Sequence, residues 1–198
     1  MKNNRHELVF VLDQSASIEQ WIDEAPKALK ALFKKQKKEQ LETKATITVF
    51  GNEYRTVCEN KDIEKVSPNS KIFETSGVCP FIDSMYRTID DVGARLAKTY
   101  EDERPSKVIV TLVVFGRDNA SKKHTYEQLR ELIRQQREVY KWEFFLVTDF
   151  SIVMEKLAIP EDNTVIFHRD AETPFTDAYN ELSELIDKCR GEAAANNC

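Results

Sequence analysis

Residues 8–18 read LVFVLDQSASI: five apolar residues in a row, an aspartate, then short hydroxyl residues in alternation. An apolar run without polar interruption predicts a strand buried on both faces, the habit of a parallel sheet covered by helices. Asp13 ends the run, and Ser15 and Ser17 are residues of the kind that satisfy backbone donors at a strand-to-helix turn. In open α/β sheets ligands bind beyond the carboxyl ends of the strands, where neighbouring connections diverge. The loop after this first strand is therefore the place to look for a site.

Working outward, strand-length apolar runs recur at 45–51, 54–58, 107–116, 142–148 and 163–168, with helical patterns between most of them. The runs at 45–51 and 54–58 are too close for a crossover helix and predict an antiparallel hairpin. The fold class expected is α/β: a Rossmann-like, doubly wound, mainly parallel six-stranded sheet with one antiparallel edge strand and helices on both faces. Helix starts are marked by Asp23 ahead of Pro26, by Thr125 with Gln128 as a capping box, and by Thr173 before Pro174. The loop at 67–78 is long for a compact domain and predicts a functional or mobile segment.

With 198 residues, 41% of them hydrophobic, the chain suits one core. A single domain over 1–191 is expected, with 192–198 as a flexible C-terminal tail. The net charge of -5 gives no general attraction to phosphate backbones, so no nucleic acid is expected as partner. A local exception is 27–38, KALKALFKKQKK, which reads as the solvated face of an amphipathic helix or as a docking surface. The four cysteines, Cys58, Cys79, Cys189 and Cys198, form no CxxC pair, which suits a reducing compartment. No signal peptide or membrane span is legible, so a cytoplasmic location and no membrane partner are expected.

Asp13, Ser15 and Ser17 together make a hard, all-oxygen partial shell of the sort that magnesium takes. At these residues the chain resembles the von Willebrand factor A (VWA) family. DQSAS matches the DxSxS element of that family's metal-ion-dependent adhesion site, and the likeness is to its small single-domain bacterial members. Three further stretches extend it in order: GVCPFIDSMYRTID (77–90) resembles the Gly-x-Thr-x-x-x-Asp segment, FGRDNAS (115–121) the end of the fourth strand, and WEFFLVTDF (142–150) the fifth strand. The resemblance implies a divalent ion held by Asp13, Ser15 and Ser17, with a Thr and a second Asp completing the shell. Aligning the motifs puts Cys79 at the Thr position, Phe115 at the Asp position and Val114 where a Thr precedes it. A thiol is a soft ligand for magnesium and a phenyl ring is none. A degenerate site is expected, with no cofactor or magnesium only at low affinity. Glu74, Thr75, Ser76 and Asp118 are possible rescue oxygens, and Cys79 with Asp13 a possible zinc pair.

The leading expectation is a non-enzymatic protein-protein interaction module whose partner is another protein. Its ligand face would lie on the loops after the first and fourth strands, at Asp13, Gln14, Ser15, Ser17, Ser76, Cys79, Phe115 and Asp118, with Phe115 making the rim apolar wherever it is exposed. Metal-dependent adhesion with rescue ligands is one alternative. A phosphotransferase using Asp13 as nucleophile is another, though DQSAS lacks a second acid two positions on, and no GxGxxG or P-loop pattern occurs. His6, His124 and His168 show no shared partner pattern and read as structural or surface residues.

Overall fold

A computed structural model describes residues 2–195 except Gln40, Ser76 and Phe150. Six strands, β1 (Lys2–Asp13), β2 (Glu42–Phe50), β3 (Tyr54–Asp62), β4 (Pro105–Val114), β5 (Glu143–Thr148) and β6 (Thr164–Ile166), form one sheet in the order β3-β2-β1-β4-β5-β6. All neighbours run parallel except β2 and β3, the expected hairpin, which places β3 as the antiparallel edge. The helices are α1 (Ala25–Gln36), α2 (Phe81–Lys98), α3 (Tyr126–Tyr140), α4 (Ser151–Leu157) and α5 (Pro174–Ala195).

Alternation along the central strands divides the core in two. Leu8, Phe10 and Leu12 face the layer that holds α1 and α5, while Val9 and Val11 face the layer of α2, α3 and α4. β1 lies between β2 and β4, with Leu12 beside Val113. The chain leaves β1 toward β2 and returns on the other side at β4, so the two connections part at the carboxyl ends of these strands. This is the crevice where doubly wound sheets bind ligands.

Several boundaries differ from the sequence reading. β1 starts at Lys2, because the polar residues His6 and Glu7 are themselves buried in the strand, each 1% exposed. β3 runs four residues beyond the expected 54–58, with register shifts against β2 and Asn60 at a φ of 44°. α1 begins after Glu24 rather than Asp23; the Glu24 carboxylate instead accepts the Thr176 N–H at 2.8 Å, tying α1 to the start of α5. The capping box of Thr125 and Gln128 forms as expected. The 67–78 loop is pinned by a 3-10 turn, Ser70–Phe73, that buries Ile72 and Phe73, so its middle is packed. α5 continues over 192–195, into the stretch read as a tail, and 196–198 lie outside the described residues.

The base of the sheet carries a buried polar network that makes a pH prediction. Arg190 donates to Gln36 Oε1 (2.6 Å) and Thr43 Oγ1 (2.7 Å), and Lys107 Nζ to the Cys189 carbonyl oxygen (3.0 Å). Burial lowers the pKa of His6 from 6.5 to about 4, and the nearby positive charges of Arg190 and Lys107 add to the effect. In the unfolded chain the imidazole protonates as pH falls through about 6.5, but in the folded chain only near 4. The stability due to neutral His6 is thus full above pH 6.5 and drains as pH falls toward 4. At ~1.4 kcal/mol per unit this amounts to about 3 kcal/mol. Urea unfolding of wild type and His6→Gln across this range should show the wild type losing that much relative to the variant. Parallel profiles would refute it.

Candidate functional site

Asp13 is the last residue of β1, and its carboxylate is buried, 1% exposed. Oδ1 accepts the Ser15 N–H at 2.7 Å, closing a turn within the loop, and Oδ2 accepts the Phe115 N–H at 3.0 Å, stitching the end of β1 to the end of β4. The Cys79 thiol also points at Oδ2, at 3.8 Å. Burial raises the pKa of Asp13, and these donors work against the rise. Ser15 caps the 3-10 turn Ala16–Trp21, its Oγ accepting the Ser17 N–H at 3.4 Å.

Gly116 shows how closely these groups converge. A Cβ there would lie 2.8 Å from Ser17 Oγ and 3.1 Å from Cys79 Sγ, so the backbone after β4 passes within contact of both, and only glycine fits without displacing one. Asp13, Ser15, Ser17 and Cys79, separated by more than sixty residues of chain, therefore meet as the motif reading expects. The backbone of Cys79 is held from both sides by Asn119, whose Oδ1 accepts its N–H (2.8 Å) and whose N–H donates to its carbonyl (3.3 Å). Burial pushes the Cys79 thiol well above its usual pKa, and the carboxylates of Asp13 and Asp118 push it further. Without a metal ion both effects favour the neutral thiol.

Phe115 is a correction. It is 1% exposed and its ring packs into an aromatic cluster under the loop, 4.4 Å from Phe167 and 5.2 Å from Phe175, with Trp21 and Tyr179 alongside. Strand parity explains this: Ile109, Val113 and Phe115 all face the α5 layer. Gln14 (7%), Ser15 (1%) and Cys79 (2%) are likewise buried and offer a partner little surface. Val78, next to Cys79, is 37% exposed. Ser17 is half-buried and Ser76 lies outside the described residues.

Asp118 lies against the start of α2. Weighed as a rescue ligand, its carboxylate is taken up by the Ile82 N–H (3.0 Å), the Ser121 N–H (3.1 Å) and the Ser121 hydroxyl (2.6 Å), bracing the start of α2. Asp83 returns the favour from α2, accepting N–H bonds from Lys122 (2.8 Å), Lys123 (3.1 Å) and His124 (2.8 Å). Partial burial raises the pKa of Asp83, but these backbone donors outweigh that and hold it below the ordinary carboxylate value. His124 bonds Asp83 through Nδ1 (3.1 Å) and stacks on Tyr86 at 3.7 Å, so its role is structural, as its lack of a motif suggests.

Sequence reasoning missed Asp149 and Arg169. Asp149 follows β5, and Arg169 follows β6; Arg169 Nε donates to Asp149 Oδ2, its Nη2 to the Phe115 carbonyl (2.9 Å), and its guanidinium lies 5.2 Å from the Trp21 ring centre. The strut ties the ends of β4 and β5 to the loop after β6. An aspartate just past a strand end was the available signal; its arginine partner, twenty residues on, left none.

Among the described residues no cluster of three or more His, Cys, Asp or Glu could hold a metal ion, and no helix is long and apolar enough to cross a membrane. No family model matches the sequence, and no curated protein matches it. Solved structures do. Proximal thread matrix protein 1 (PTMP1) from the mussel byssus superimposes with a TM-score of 0.63 at 15% identity, over 94% of this chain and 46% of that one. A form of that protein with a zinc-occupied MIDAS motif gives 0.59, also at 15% identity, over 92% of this chain and 46% of that one. The manganese-loaded TRAP protein of Plasmodium vivax gives 0.61 at 11% identity, over 93% and 74%. This chain thus spans less than half of the mussel protein. Both neighbours are VWA-domain proteins, and a mostly parallel six-stranded sheet with one antiparallel edge strand and helices around it matches that architecture: the chain has a von Willebrand factor A fold.

Proposed function

We propose that the chain is a non-enzymatic protein-interaction module, that its ligand face is the rim formed by the loops after β1 and β4, and that this face works without a tightly held divalent ion. The carrying observation is the state of Asp13. Its two oxygens already accept two backbone N–H groups and face a neutral thiol. The remaining donors are two serine hydroxyls, and the position of the second carboxylate is filled by a ring in the core. Such a set does not fit magnesium, which asks for an octahedron of hard oxygens and carries two charges to be met. It is also short of the four good ligands of a closed zinc site. The structural neighbours hold manganese and zinc; here the S–H···O contact and the N–H bonds do the work of holding the loop that an ion would do. Exposed around the rim are Val78, Arg117, Lys122 and Lys123, and these are the side chains a partner protein would touch. Catalysis by Asp13 is disfavoured by its burial and by the lack of a second acid in the loop.

Calorimetric titration of magnesium, manganese and zinc into metal-free protein, with Asp13→Ala as control, tests the metal-free part. The expected result is no Asp13-dependent heat for any of the three. Binding in the micromolar range that disappears in Asp13→Ala would overturn it.

A further inference from the structure

α1 differs from the other exposed helices in the arrangement of its charges. On α2, Arg87 faces Asp91 one turn on at 3.5 Å, and on α3, Arg134 lies between Glu131 and Glu138 at 2.6 and 2.5 Å. Such pairs neutralise a helix face locally. α1 has no means of doing so: residues 25–38 contain six lysines and no aspartate or glutamate. Two of the lysines serve the fold. Lys35 Nζ donates to Asn180 Oδ1 at 2.7 Å, and Lys37 Nζ donates to the carbonyls of Glu64 and Val66 at 3.2 and 2.8 Å. The other four, Lys27, Lys30, Lys34 and Lys38, are exposed and make no ion pair among the described residues.

The spacing of Lys27, Lys30 and Lys34 sets them on one line along the helix, roughly 10 Å long at 1.5 Å per residue, and Lys38 follows in the turn just past its end. Like charges at this spacing oppose helix formation, and an anion laid along the line would offset that. The chemistry around the line limits what the anion can be. No large apolar side chain is exposed on α1, so the helix lacks the anchors with which amphipathic helices enter a bilayer. The line also holds no arginine fork or aromatic ring for reading or stacking bases. α5 packs alongside and exposes Asp177, Glu181 and Glu184, on a chain whose net charge is -5 despite α1. A broad anionic surface would press against that acidic flank as well as the lysines. A narrow acidic segment would meet the lysines alone.

We propose that the lysine line of α1 binds an acidic segment of a partner protein, at a surface separate from the loop rim. The probe is a fluorescein-labelled oligo-glutamate peptide, titrated with the full chain and followed by anisotropy. Oligo-lysine, phosphatidylserine vesicles and duplex DNA are run at the same salt. Saturable binding of oligo-glutamate is expected at low salt, weakening about tenfold between ~50 and ~200 mM salt. Lys30→Glu with Lys34→Glu should weaken it about tenfold with an unchanged thermal midpoint, Lys30→Gln with Lys34→Gln by less, and Asp13→Asn not at all. The proposal is overturned by lack of saturable binding, by equal binding of the lysine variants, or by tighter binding of vesicles or duplex. A lysine-dependent dimer in sedimentation velocity would overturn it too, since the acidic line of α5 on a second copy would then be the occupant.

Discussion

Phe115→Ala is expected to remove about 3–5 kcal/mol of folding free energy, the range for deleting a fully buried aromatic side chain. The ring is 1% exposed and touches Phe167 and Phe175, which pack edge-on to each other at 5.0 Å and are joined by Trp21 at 5.1 and 6.1 Å. The cavity would open where α5, β6 and the turn after β1 meet. These elements are also fixed by the Arg169 strut, which limits how far they can collapse into it. Phe115→Leu keeps much of the volume and should lose less. Phe115→Asp should lose more than Phe115→Ala, because it puts a carboxylate among rings with no partner. Urea midpoints for the three variants decide this, and a leucine variant as unstable as the aspartate one would refute the packing account. The order matters for function: one substitution toward the family's ligand would damage the fold before it could build a metal site.

Arg95→Ala is expected to cost about 3–5 kcal/mol near neutral pH, as breaking one side of a buried ion pair does. Glu7 is 1% exposed in β1, and its Oε1 is met by Arg95 Nη2 and by Thr46 Oγ1 at 3.0 Å. Burial raises the pKa of Glu7, while the charge of Arg95 pulls it down. Without Arg95 the carboxyl would titrate higher still, and once protonated it no longer carries an unpaired charge. The loss should therefore shrink as pH is lowered toward about 5. Adding Glu7→Gln should recover part of it. An Arg95→Ala deficit that is the same at both pH values would show that lost packing, not the stranded charge, is responsible.

What could be read from the sequence follows from the range of each interaction. Residues 8–12 and 108–114 announce the two central strands because their burial is written in apolar runs, unbroken in the first and interrupted only by Thr111 in the second. The hairpin is legible because three residues cannot hold a crossover. By contrast, the buried start of β1 is hidden, since Glu7 is paired with Arg95, far away in the chain, and His6 is buried as a neutral ring beside it. At the site, the convergence of Asp13, Ser15, Ser17 and Cys79 was legible through the family motif. The inward turn of Phe115 was not, because motif alignment assigns a position to a loop without saying which layer its side chain enters. The clamp of Asp83 and Asp118 across α2 and the loop after β4 was invisible for the same reason: each carboxylate pairs with backbone some forty residues off.

The two margins of the sheet limit how copies of this chain can associate. β3 presents a kinked, charge-studded border, with Arg55, Glu59 and Lys61 among its residues, two register shifts and the left-handed Asn60. β6 offers only three residues. An incoming strand would find no straight ladder to extend on either side, the protection that natural sheets use against edge-to-edge growth. The apolar runs of β1 and β4, which would be aggregation-prone at a border, are held in the middle of the sheet. Crowding many such domains together should therefore leave them as discrete units joined through helices and loops, not fused into a common β-lattice.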